Sequence, residues 1–115
     1  MWKRIWDFIC RIFSGSPRRA TEFAGVVFVE SGVDPAPHIR KRRLVLVGSQ
    51  ERAKWLRFLC PCGCGQIMAL NLMRSHSPHW DVTDHGDGTV SVTPSVHATK
   101  CGSHYWLRRN RVDWV

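Results

Sequence analysis

Apolar residues fall along this chain in short runs separated by glycine, proline and charge, and one stretch has helical spacing alone. Gly25-Val26-Val27-Phe28-Val29 and Leu44-Val45-Leu46-Val47 are continuous β-rich runs, the composition of strands. Asp34-Pro35-Ala36-Pro37 between them predicts a loop, because proline cannot donate to a sheet ladder. Residues 51–59 fit either period; a strand feeding a cysteine-rich turn is preferred, with Ile67 to Leu72 as the strand leaving it. That makes 53–72 a hairpin. Trp80 to Thr83 and Thr89 to Thr93 flank Asp84-His85-Gly86-Asp87-Gly88, whose Asp-Gly turn predicts a second hairpin. His104 to Arg108 and Arg111 to Trp114 flank Arg109-Asn110 and predict a third. The helical stretch is residues 1–13, where Trp2, Ile5, Trp6, Ile9, Ile12 and Phe13 form one stripe and Lys3, Arg4, Asp7 and Arg11 lie opposite. The expectation is a mainly β fold: a small antiparallel β domain over 24–115, preceded by an amphipathic N-terminal helix over 1–13 and a Ser/Gly/Pro-containing linker over 14–23.

Size sharpens this picture. With 115 residues one domain is expected, and a domain so small gains from a staple between distant segments. Its 17 Lys and Arg against 9 acidic residues give a formal charge of +8. That balance favours a polyanion: nucleic acid, anionic lipid or an acidic protein. Asp7 and Arg11 interrupt the apolar stripe, which excludes a signal peptide, and the segment is too short and polar to span a bilayer. Residues 1–13 can instead pack on the domain, dock in a partner's groove, or lie on a membrane surface; packing and partner docking are preferred.

The chemistry concentrates in two clusters, Cys60-Pro61-Cys62-Gly63-Cys64-Gly65 and Cys101-Gly102-Ser103-His104. Four of five cysteines sit there, and Cys-x-Cys neighbours are poorly placed to pair with each other. Reduced, metal-bound thiols in a cytoplasmic protein are therefore expected, with Cys10 a small apolar filler. One structural zinc fits the donor types. Cys60, Cys62, Cys64, Cys101 and His104 are the candidate ligands, one more than a tetrahedron needs. Two cysteines of the first cluster with Cys101 and His104 make the preferred mixed set; all three with Cys101 make an all-thiolate set that leaves His104 free. A Rieske cluster is disfavoured, since the first cluster lacks its histidine.

Three functions stay open on the residues alone. A zinc-stabilised module could contact a protein partner through the helix or a tryptophan-rich face. A zinc-ribbon-like nucleic-acid binder could stack bases on Trp80, Tyr105, Trp106 and Trp114 beside Arg40 to Arg43. An enzyme could use a cysteine or the zinc, although a thiolate-rich site favours a closed structural centre. No catalytic residue and no small-molecule substrate is evident. His38, His85 and His97 read as loop or surface residues.

Leu59-Cys60-Pro61-Cys62-Gly63-Cys64-Gly65, Trp80, Val90 to Ser95, Cys101-Gly102-Ser103-His104-Tyr105-Trp106 and Val112-Asp113-Trp114, in that order, resemble a family of small bacterial proteins. That family carries Cys-x-Cys-Gly-Cys-Gly, Pro-Ser and Cys-x-Ser-His-aromatic elements and is regarded as zinc-binding from its cysteines. The likeness runs from about residue 24 to the end. Members lie beside genes for bacterial ubiquitin-like conjugation enzymes of the kind linked to phage defence. The resemblance implies an accessory or adaptor protein of such a system, binding one zinc. The shared elements map here onto Cys60, Cys62, Cys64, Pro94, Ser95, Cys101, Ser103 and His104, with no catalytic residue to carry across; Ser95 and Ser103 could orient the thiolates or His104, or cap turns.

Overall fold

The computed structural model describes residues 19–49 and 51–115. The helix expected over 1–13, Cys10 and the first part of the linker lie outside the described residues. Eight strands follow in order: β1 (Gly25–Glu30), β2 (Arg43–Gly48), β3 (Ala53–Leu59), β4 (Ile67–Asn71), β5 (Asp81–Asp84), β6 (Val90–Ala98), β7 (Ser103–Arg108) and β8 (Arg111–Trp114). They form two four-stranded sheets, β1-β2-β3-β4 and β5-β6-β7-β8. The mainly β class, the three hairpins and the strand reading of 53–59 agree with the sequence pattern.

Two features lie outside the expected antiparallel hairpins. β1 and β2 are parallel, with Gly25 opposite Arg43 and Glu30 opposite Gly48. Residues 31–42 are long enough to carry the chain back to the same end of the sheet, as a parallel pair demands. The second is β6, which continues past Pro94 to Ala98 and pairs along its length with β7. Val92 faces Leu107 but Val96 faces Tyr105, so the register shifts across Thr93-Pro94-Ser95. A bulge is where a strand can hold proline.

Alternation sorts the side chains. Leu44, Leu56, Phe58, Met68 and Leu70 from the first sheet meet Val90, Val92, Val96, Ala98, Tyr105, Leu107 and Val112 from the second in one core. Tyr105 and Leu107 point inward and are fully buried, while His104, Trp106 and Arg108 take the alternate positions on the outer face. Within the segment 14–23 read as linker, residues 20–23 lie against the domain: Phe23 is in the core, Val112 N–H donates to Thr21 O at 2.9 Å and Ala20 N–H to Pro61 O at 2.7 Å. Asn110 ties two hairpins together. It sits at φ 63° in the β7–β8 turn, its Oδ1 accepts from Val90 N at 2.8 Å, and its Nδ2 donates to Gly88 O at 3.3 Å. Arg109 and Asn110 both have positive φ, as a two-residue hairpin turn with strand-matching twist requires.

Candidate metal centre and serine–histidine pair

The first cysteine cluster forms the tip of the β3–β4 hairpin. Cys60 N–H donates to Gln66 O at 2.8 Å, and Gly63 N–H to Cys60 O at 3.1 Å. Gly63 and Gly65 take φ of 92° and 86°, a conformation costly for residues with a Cβ. The curled backbone turns amides toward sulfur: Cys64 N–H lies 3.3 Å from Cys62 Sγ, and Gln66 N–H lies 3.4 Å from Cys64 Sγ. Cys101 comes from the β6–β7 turn. Its Sγ stands 3.7 Å from both Cys60 and Cys62, which are 3.5 Å apart. The four thiols of Cys60, Cys62, Cys64 and Cys101 all lie within 4.8 Å of one another. A tetrahedron with metal–sulfur arms of 2.3 Å has edges of about 3.8 Å, so this set could hold a metal ion.

The electrostatics agree with that chemistry. Burial, reinforced by the neighbouring thiols, pushes the Cys60 thiol up to about 12. At Cys64 the Gln66 amide pulls downward, but desolvation and the adjacent sulfurs leave it raised. Cys101 is lowered to about 6, chiefly by the Ser103 hydroxyl and then by its amide; Ser103 Oγ is 3.3 Å from Cys101 Sγ. Four thiolates so close repel one another unless a cation sits among them. Tyr105 adds a further sign. Its hydroxyl is buried with no hydrogen-bond partner, and burial, then the charge of Cys60, raises its pKa. A donor left unpaired beside Cys60 suits a Cys60 held as thiolate.

His104 lies outside the four-thiol group. It is on the outer face of β7, and its Nε2 is 2.8 Å from Ser95 Oγ. Ser95 reaches it from β6 because His97 pairs with His104, which makes Ser95 the diagonal neighbour on the same face. Trp80 Nε1–H donates to Ser95 O at 3.2 Å and fixes the serine's backbone. The His97 ring stacks on the His104 ring with centroids 5.3 Å apart. Ser95 and His104 are each half-buried, and no carboxylate is hydrogen-bonded to His104 among the described residues. A hydroxyl within reach of an imidazole nitrogen is the arrangement that activates a serine nucleophile.

A second such contact exists at His85 Nε2 and Ser91 Oγ, 2.7 Å apart. Ser91 Oγ also accepts Arg109 N–H at 2.9 Å, so this serine is anchored to the β7–β8 turn and reads as structural. The sequence reading names a cysteine or the metal as reactive group, not a serine. The missing signal was the course of β6: alternation resumes after Pro94 at Val96 and Ala98, and a strand through the proline puts Ser95 beside His104.

The aromatics named for base stacking differ in their surroundings. Tyr105 is fully buried and packs edge-on against Trp114 at 5.3 Å. Trp114 Nε1–H donates to Ala20 O at 3.2 Å, and the Arg19 guanidinium covers its ring at 4.3 Å. Trp106 carries Arg108 at 4.6 Å. In the basic run, Arg42 pairs with Glu22 at 3.3 Å. No helix among the described residues is long and apolar enough to cross a membrane.

A family model described as "bacterial ubiquitination-like system serine protease (BubE)" matches residues 32–115. No curated protein and no solved structure matches this chain.

Proposed function

We propose that this chain, which belongs to the bacterial ubiquitination-like system serine protease (BubE) family, hydrolyses an acyl bond in a protein of such a system, with Ser95 as nucleophile and His104 as its base. The observation that carries this is the 2.8 Å contact between Ser95 Oγ and His104 Nε2. In the reaction Ser95 Oγ adds to the substrate carbonyl carbon and its proton passes to His104 Nε2. The tetrahedral adduct then collapses, the leaving amine takes that proton, and an acyl-serine remains. Water, deprotonated by His104, releases the acyl group and regenerates the hydroxyl. Trp80 holds the backbone of Ser95, and the His97 ring limits the swing of His104.

The four-cysteine group suits one structural zinc, with His104 left free for the serine. When bound, the ion supplies the positive charge that lets four thiolates share one site. The residues around it do the rest: Ser103 and the amides of Cys64 and Gln66 lie within hydrogen-bonding reach of sulfur, and the unpaired Tyr105 hydroxyl is a further donor available to Cys60. Cys101 lies three residues before His104, so fixing one end of β7 also fixes the base. The accessory role expected from sequence keeps its setting here, with a protein partner that is also the substrate.

An alkyl fluorophosphonate probe tests the reading, because it phosphonylates activated serines. Wild-type protein should be labelled on Ser95, mapped by peptide mass spectrometry. Ser95→Ala and His104→Ala should each cut labelling at least a hundredfold, and Ser91→Ala should not. Labelling that survives Ser95→Ala, or no labelling of wild type, overturns the assignment.

A further inference from the structure

The ladder of the second sheet is incomplete beside the proposed nucleophile. β5 has four residues, and its pairing with β6 runs only from Asp84–Val90 to Asp81–Thr93. From Ser95 onward β6 has β7 on one side and no strand on the other.

Two hydrogen bonds show which main-chain groups face that open side. Val115 N–H donates to His104 O at 3.0 Å, so the His104 main-chain groups face the β8 side of β7. His97 and His104 therefore form a non-hydrogen-bonded pair, and the His97 N–H and C=O point away from β7. Trp80 Nε1–H meets Ser95 O from the same open side, as alternation from 97 to 95 requires. Ser95 O is thus capped, whereas His97 is exposed and its N–H and C=O point to the open side. No hydrogen bond to either group is seen among the described residues.

The arrangement is a free donor–acceptor pair on a sheet edge, two residues from a candidate nucleophile and on its own strand. Among the described residues, Ser95 and His104 line neither the groove of about 650 Å³ between Glu22–Val26 and the Thr89 and Asn110 turns, nor that of about 320 Å³ beside Cys60 and Pro61, nor that of about 500 Å³ beside Cys64 and Cys101. What the described residues do offer there is a main-chain donor and acceptor on an open strand edge.

From this, and resting on the serine-hydrolase reading above, we infer that the substrate is an extended segment of a protein chain that adds as a strand to the open edge of β6. It exchanges main-chain hydrogen bonds with His97 and runs up to Trp80, which ends the ladder and leaves the scissile carbonyl at Ser95. Main-chain pairing supplies affinity in such strand addition, and a folded helix or a compact surface cannot supply it. The substrate class is therefore a flexible tail or loop of a protein.

The experiment uses a pool of internally quenched, unstructured peptides as extended substrate and p-nitrophenyl acetate as a substrate with no backbone. His97→Ala removes the imidazole and keeps the N–H. His97→Pro removes the outward N–H as well, at a position where an edge strand tolerates proline. The ratio of peptide to ester turnover should fall about tenfold from His97→Ala to His97→Pro, the worth of one main-chain hydrogen bond. Equal ratios overturn the inference, as does a wild type that reacts with fluorophosphonate at Ser95 yet cleaves no peptide. Absence of fluorophosphonate labelling would instead overturn the underlying serine-hydrolase reading.

A second measurement does not depend on the proline variant folding. N-methylation scanned along one cleaved peptide should abolish cleavage at one position on one side of the scissile bond, the residue opposite His97; tolerance at every position refutes the pairing. Amide exchange at His97 should be fast in the free protein and slow when that peptide occupies Ser95→Ala protein. Protection that instead rises with protein concentration alone means a second copy occupies the edge, and the inference fails.

Discussion

Tyr105→Phe isolates the question of what Cys60 is in the folded protein. The ring is fully buried and phenylalanine fills the same space, so the change removes one hydroxyl and little packing. Without a metal, burial raises the pKa of the Cys60 thiol and favours its protonated form, and the hydroxyl is a buried group without a partner. Removing such a group relieves a desolvation cost of about 1–3 kcal/mol. The metal-free variant should therefore be as stable as wild type, or more so. With a metal bound, Cys60 is a thiolate, and the hydroxyl donates a hydrogen bond to a charged acceptor worth about 1.5–3 kcal/mol. Its loss should weaken metal binding; about 2 kcal/mol is roughly thirtyfold in Kd. Competition for zinc against a chromophoric chelator gives the affinity, and urea unfolding with and without zinc gives the two stabilities. Unchanged zinc affinity, or equal destabilisation of both forms, refutes the reasoning that links Tyr105 to a metal-bound Cys60.

Three further outcomes follow from the same geometry. Cys101→Ser should abolish zinc retention, lower the unfolding midpoint sharply and cost most fluorophosphonate reactivity at Ser95, because metal-binding energy is folding energy in so small a domain; elemental analysis with a melting curve checks it. Acidification should release the metal. Cys60 and Cys64 both have raised pKa values and hold their protons at neutral pH, so binding must expel at least two. Affinity should then fall at least about a hundredfold from pH 7 to pH 6, and a slope of one proton or fewer in a chelator titration contradicts it. Asn110→Ala removes two side-chain hydrogen bonds, leaves the buried Val90 N–H unpaired and puts a Cβ-bearing residue without a local bond at positive φ. It should cost about 2–4 kcal/mol in urea unfolding.

Hairpins were the readable part of this fold, since each announces itself locally. Asp-Gly around 84–88, Arg109-Asn110 and the cysteine turn all mark reversals by residues that accept unusual backbone angles. What joins the hairpins is not local. Nothing in residues 25–47 states that β1 and β2 run parallel; that depends on where the 31–42 segment returns. Pro94 read as the end of a strand, because a proline usually is one, and this concealed the β6–β7 pairing. The cysteine cluster was legible as a set of residue types, and geometry brings four of them together. Cys101 joins the three hairpin-tip cysteines because its turn packs there, while His104, three residues on, alternates to the opposite face of the strand. The serine was named among candidate donors to His104, but its partnership as nucleophile needed the register of two strands that the pattern kept apart.

The open setting of Ser95 bears on how the protein could be blocked. Inhibitors of most hydrolases exploit a pit, with walls for a drug-sized molecule to press against. Here the hydroxyl sits on the broad outer surface of a sheet, between a capping tryptophan and a bare strand margin. A compact warhead would find little to grip beyond the serine itself. A linear peptidomimetic, rigid enough to stay extended and carrying an electrophile at its end, is the scaffold this surface invites.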